Sequence, residues 1–166
     1  MKYQNNYSFH RCSIRLKRHN YAWSAWYFVT MNASVPDPLF AHSELHKILD
    51  ENWRALPQRF PSLTCDEFVI MPDHVHFVIH LEGNVERPVT LGAVVGAYKS
   101  LTTVAWLRYI KSLGPDGMQY PGIIWQRNYL ERIIHSKQEL TAANKYTINN
   151  PIKAAKSQNS NITRKK

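Results

Sequence analysis

An α+β fold is predicted for this chain of 166 residues, and three observations carry the prediction. Trp26–Met31, Phe68–Ile70 and Val75–Leu81 are runs of β-formers, and the last shows the two-residue alternation of a strand. Two longer stretches, 41–56 and 90–112, place apolar residues at helical spacing. The elements follow one another as β-α-β-β-α-β, with one more helix behind them.

Residues 1–21 read as an N-terminal arm, residues 22–151 as one domain, and residues 152–166 as a polar, basic tail expected to be disordered. Trp26-Tyr27-Phe28-Val29-Thr30-Met31 is the first strand, and Pro36 and Pro38 break the chain after it. Residues 41–56 form a helix on Leu45, Ile48, Leu49 and Trp53, closed by Pro57 and Pro61. A strand pair follows at about 63–72 and 74–82, joined through Met71-Pro72-Asp73, and Glu82-Gly83-Asn84 is turn material. In 90–112 the stripe is Leu91, Val94, Val95, Tyr98, Leu101, Ala105 and Tyr109, with Thr90 as N-cap and Gly114-Pro115 as stop. A strand is expected from Ile123-Ile124-Trp125 to about Ile134. Ser136-Lys137-Gln138-Glu139 is a capping box that opens a helix to about Asn149, with Pro151 ending it. The first six elements fit a ferredoxin-like layout, a four-stranded antiparallel sheet with two helices on one face. The last helix is then free to lie across the other face.

Charge points to a polyanionic partner. Lys and Arg number 21 against 12 Asp and Glu, a net charge of +9. No acidic residue precedes Asp37, whereas Lys2, Arg11, Arg15, Lys17 and Arg18 do, interleaved with Tyr3, Tyr7, Phe9, Tyr21 and Trp23. Basic groups neutralise phosphates and aromatic rings stack on unpaired bases. No apolar run approaches the roughly 20 residues a membrane helix needs, and no secretory signal is visible. Cys12 and Cys65 form no C-x-x-C pair, so reduced thiols in a cytoplasmic protein are expected.

Met71-Pro72-Asp73-His74-Val75-His76 is the most informative motif. Alternation puts Val75, Phe77, Ile79 and Leu81 on one face and His74, His76, Val78 and His80 on the other. Two imidazoles side by side on an open face begin a divalent metal site, although a lone His-x-His in a strand is ordinarily a pair of half-exposed histidines. Tyr146 lies on the last helix with Asn150 one turn later, on the same helix face. If that face meets the histidines, two imidazoles and one carboxamide oxygen suit Mg²⁺ or Mn²⁺, with a phenol beside them. That set matches one chemistry. A metal polarises a scissile phosphate and tyrosine attacks it, leaving a 5′-phosphotyrosine link and a free 3′-OH. Lys99, off the apolar stripe beside Ser100, is either a phosphate contact or a solvated helix lysine.

Six ordered pieces of the chain resemble the single-tyrosine HUH transposases, and most closely their REP-associated tyrosine transposase branch. They are Ser13-Ile14-Arg15-Leu16-Lys17, Trp26 through Thr30, Phe68 through His76, Val94 through Ser100, Ile124 through Tyr129, and Tyr146 through Pro151, covering roughly residues 13–151. The resemblance implies a ferredoxin-like fold and a DNA transposase that cleaves and rejoins single-stranded or hairpin DNA of REP type. It implies His74 and His76 as metal ligands, Tyr146 as nucleophile and Asn150 as third ligand. Arg15, Lys17, Arg18, Lys99 and Arg127 are the expected DNA-binding residues; a homodimer is compatible with the sequence. The family commonly shows Tyr-Tyr-Glu-His-Ile-Ile-Arg where this chain has Tyr129-Leu130-Glu131-Arg132-Ile133-Ile134-His135.

Three other functions fit parts of the pattern. A histidine-triad nucleotide hydrolase wants a third histidine at position 78, which is Val78. A non-catalytic RNA-binding module shares the βαββαβ order, but its aromatic-glycine strand motif is absent. A domesticated DNA-binding protein that keeps the fold without activity shares every feature above.

Overall fold

The computed structural model describes residues 24–163 apart from Asn84 and Arg87, with side chains as far as Asn150. The expected arm, with Arg15, Lys17 and Arg18, lies outside the described residues. The elements are β1 (Ala25–Asn32), α1 (Ser43–Arg59), β2 (Leu63–Ile70), β3 (His74–Leu81), α2 (Leu91–Ser112), β4 (Leu130–Ile134) and α3 (Lys137–Thr163), with 3-10 turns at Leu39–Ala41 and Gly114–Gln119. The sheet is antiparallel with strand order β2-β3-β1-β4. The α+β, ferredoxin-like arrangement with an additional C-terminal helix is therefore the observed fold.

Alternation sorts the two faces of the sheet as the sequence predicts. Tyr27, Val29 and Met31 of β1 pair with Ile79, Phe77 and Val75 of β3, and all six are buried under α1 and α2. Trp53 of α1 stacks on Phe68 at 4.6 Å between ring centroids. Tyr98 of α2 donates its hydroxyl to Leu49 O at 3.0 Å, tying the two helices together. The other face carries Trp26, Phe28, Thr30 and Asn32 of β1 opposite His80, Val78, His76 and His74 of β3. A smaller cluster forms there from Val78, Ile134 and Ala143, with Trp26, Phe28 and Leu140 against it. It seats α3 on the open face.

Local signals act where expected. Thr90 Oγ1 accepts from Ala93 N and caps α2. Gly114, at φ +62°, follows the helix end in the left-handed region that glycine enters without steric cost. Ser136 Oγ accepts from Glu139 N while the Glu139 carboxylate accepts from His135 N, completing the capping box in slightly shifted form.

Four local expectations are corrected. The buried stripe of α2 runs through Thr102 and Trp106, whereas Leu101 is exposed; a helix turns 100° per residue, so over six turns its buried line drifts with the surface it meets. The strand expected from Ile123 is a single bridge, Ala33 to Trp125, and regular pairing begins only at Leu130. The intervening chain is held by Gln126 N donating to Asn32 O and by Ser34 Oγ donating to Ile123 O. Pro57 lies inside α1, and α3 continues through Pro151 to Thr163. Proline removes one backbone donor from a helix, which weakens it there without obliging it to stop. Among the described residues no helix is long and apolar enough to cross a membrane.

Candidate active site

The start of β3 is pinned by its hairpin. Ala33 N donates to Asp73 O, Phe40 N to Pro72 O and Met71 N to His74 O, each at 2.8 Å. Fixing Met71–Asp73 in this way fixes the direction of His74 and His76.

Each imidazole is oriented by one nitrogen. His74 Nδ1 lies 2.6 Å from Asp73 Oδ1 and donates to that carboxylate, which in the neutral ring leaves the lone pair on Nε2. His76 Nδ1 lies 2.8 Å from Thr30 Oγ1. The two Nε2 atoms face one another at 3.0 Å. A threonine hydroxyl both donates and accepts, so it serves either tautomer of His76. With Nε2–H the ring donates to His74; with Nδ1–H it donates to Thr30, and both Nε2 lone pairs converge. This is the outer-shell arrangement that commonly orients metal-bound histidines. His76 is 6% exposed, and its pKa is lowered to about 4, by burial first and the neighbouring His74 second, against a smaller opposing effect of Asp73. It is therefore neutral at physiological pH, the form a metal ligand needs.

Tyr146 stands against this pair. Its ring centroid is 5.5 Å from that of His76 and 5.8 Å from that of Phe28, edge-on to both, and Phe28 in turn stacks on His76 at 5.3 Å. Tyr146 is 46% exposed, so the residue is reached from solvent. Asn150 follows one turn later, and the buried Nδ2 of its amide has no hydrogen-bond partner. A half-turn of the amide exchanges nitrogen for oxygen, an assignment that hydrogen bonds alone decide. Among the described residues no three His, Cys, Asp or Glu side chains converge. A third protein ligand would thus be of another type, and the unpartnered carboxamide of Asn150 offers an oxygen donor of that kind.

Sequence reasoning missed the device that holds α3 in register. β2 carries a bulge between Cys65 and Phe68. Two residues, Asp66 and Glu67, there stand opposite the single Val78. Asp66 Oδ2 accepts from Asn144 Nδ2 at 2.9 Å, and Thr147 is buried beside it. The tie lies half a turn from Tyr146. Removing the carboxylate leaves a part-buried amide unpaired, at about 1–3 kcal/mol. In Asp66→Ala the backbone amides of residues 140–147 should exchange with deuterium about 5- to 150-fold faster; unchanged protection would show that the tie does not hold the helix.

Lys99 and Arg127 form a second group. Lys99 Nζ donates to the carbonyls of Gln126, Arg127 and Asn128 at 2.7, 3.2 and 3.2 Å, which uses all three of its protons. Burial lowers its pKa to about 8. It can meet a phosphate only by releasing a carbonyl. The Arg127 side chain is exposed. Its loop joins Asn32 through Gln126 N, and Asn32 pairs with His74, so this group lies one strand from the histidines.

The antiparallel four-stranded sheet with its helices matches the fold of two solved transposase structures. A REP-associated tyrosine transposase bound to a REP hairpin superposes with a TM-score of 0.62 at 18% identity, over 84% of this chain and 74% of its own. A candidate transposase of Deinococcus radiodurans R1 gives 0.52 at 17% identity, over 81% of this chain and 97% of its own. The chain has this transposase fold. By sequence it is 31% identical, over 169 aligned positions, to an uncharacterised protein of Haemophilus influenzae (strain ATCC 51907 / DSM 11121 / KW20 / Rd), covering 86% of this chain and 89% of that one. The chain belongs to one family with that protein. No protein-family model matches it.

Proposed function

We propose that the chain is a REP-associated tyrosine transposase of the single-tyrosine HUH family, which cleaves and rejoins single-stranded or hairpin DNA. The observation that carries this reading is the position of Tyr146 against His76, where His74 and His76 turn their Nε2 atoms toward one another. Tyr146 Oη attacks the scissile phosphorus, an O–P bond forms, and the P–O3′ bond breaks. The phenolic proton passes to water and the leaving 3′ oxygen takes one up. The 5′-phosphotyrosine link keeps the phosphodiester's energy, so a 3′-OH reverses the step without ATP. His74, His76 and the Asn150 carboxamide would hold Mg²⁺ or Mn²⁺. Such an ion supplies charge neutralisation at the phosphate and at the departing 3′ oxygen. Thr30 and Asp73 hold the imidazoles in place, and the seat of α3 on Val78 and Asp66 sets the depth of Tyr146.

The deciding experiment incubates the protein with labelled single-stranded DNA from around its own gene, with Mg²⁺ or Mn²⁺. A denaturation-resistant protein–DNA adduct is expected. Binding without any adduct would instead support a DNA-binding protein of this fold that lacks activity.

The basic residues of the N-terminal arm bear on affinity. Association with single-stranded DNA should weaken steeply with salt, with a slope of about −0.7 per neutralised phosphate. Replacing Arg15, Lys17 and Arg18 together by Gln should flatten the slope by about 2; an unchanged slope would mean that these residues do not touch the backbone.

A further inference from the structure

A cleft of about 470 Å³ opens beside Tyr146, between the β1–β4 edge and α3. Its walls include Phe28, Leu130, Arg132, Ala142 and Tyr146, and the acidic Glu131 also lines it. The volume falls within the roughly 300–1,000 Å³ of small-molecule sites. Pairing builds it: Phe28 stands directly opposite Arg132, and Thr30 opposite Leu130. Ala142 and Ala143 leave room where a larger side chain on α3 would close it. The Arg132 guanidinium carbon lies 5.9 Å from the Phe28 ring centroid. Leu130 is 54% exposed, an apolar side chain presented to solvent at the rim.

We propose that this cleft takes one unpaired base of a DNA single strand, with Arg132 on the phosphate next to it. An aromatic wall with aliphatic sides suits the faces of a base, and these are sequence-tolerant contacts. A guanidinium at the rim suits a phosphate oxygen. An apolar small molecule would use the walls alone; a nucleotide uses the walls for its base and the exposed Arg132, rather than Glu131, for its phosphate. The cleft shares Tyr146 with the candidate active site, so the base would belong to a nucleotide flanking the attacked phosphate. That last placement alone rests on the proposed transposase activity.

The test is equilibrium binding of the full chain to a short oligothymidylate and to an abasic strand of equal length and charge. Wild type should prefer the base-bearing strand. Ala142→Trp fills the cleft from an exposed helix position, and Leu130→Ser removes one wall. Each should weaken oligothymidylate binding about 5-fold or more, the worth of one stacked base, and leave the abasic strand unaffected. Arg132→Gln should weaken both strands alike and reduce the salt slope by about 0.7. Losses below twofold in both cleft variants, or equal losses on the abasic strand, would overturn the proposal. An adduct in wild type with no base preference retains the transposase reading and rejects the cleft. A base preference lost in Ala142→Trp, with no adduct in wild type, does the reverse.

Discussion

Tyr146→Phe should abolish both DNA cleavage and the covalent adduct, a loss on the order of 10⁴-fold or more, because a nucleophile has no substitute at its position. The change deletes only the phenolic oxygen. The ring would keep its edge-on contacts with His76 and Phe28, so melting temperature, metal binding and oligonucleotide affinity should stay near wild type. Among the described residues, the rival tyrosines have other surroundings. Tyr98 is buried with its hydroxyl on Leu49 O. Tyr109 and Tyr120 pack around His42 on the helix side of the sheet. Tyr129 precedes β4, its ring near Lys99 Nζ. Mass spectrometry of the DNA-linked peptide decides the assignment, and an adduct that persists in Tyr146→Phe would refute it.

His76→Ala is expected to have the next largest effect. Losing one imidazole of two should remove several kcal/mol of the charge stabilisation a bound cation provides, on the order of 10³-fold in cleavage rate. Oligonucleotide binding should largely survive, since His76 is buried and the exposed basic groups lie elsewhere. Full cleavage in this variant would eliminate the metal site. A pH signature accompanies the change. The folded-state pKa of His76 is lowered, from 6.5 to about 4. Between those values the unfolded chain binds more protons than the folded one, so stability falls as pH falls through this window. The penalty is on the order of 3 kcal/mol. Urea titrations at pH 7 and pH 4 should show a smaller pH-dependent loss in His76→Ala than in wild type. An equal loss in both would show that His76 titrates normally.

The element order, the two faces of the sheet and the two halves of the candidate site are legible along the chain. These follow from local periods. Alternation puts His74 and His76 on one face whatever their neighbours are, and helical spacing puts Tyr146 and Asn150 on one side of α3. The Ser136 to Glu139 box opens that helix with no long-range partner. What each of these groups touches depends on how the elements pack. Thr30 supports His76 because β1 pairs with β3 in one register, and a slip of one residue would turn Thr30 to the opposite face. Asp66 reaches Asn144 because a bulge sets two residues against Val78, an irregularity that no residue type announces. The ammonium of Lys99 lies on three loop carbonyls because regular pairing with β1 lapses between Trp125 and Leu130, leaving those carbonyls to find another donor. Periodicity is a property of neighbouring residues and can be read along the chain. Register, bulges and loop hydrogen bonds depend on segments far apart in sequence, and they exist only once those segments have packed.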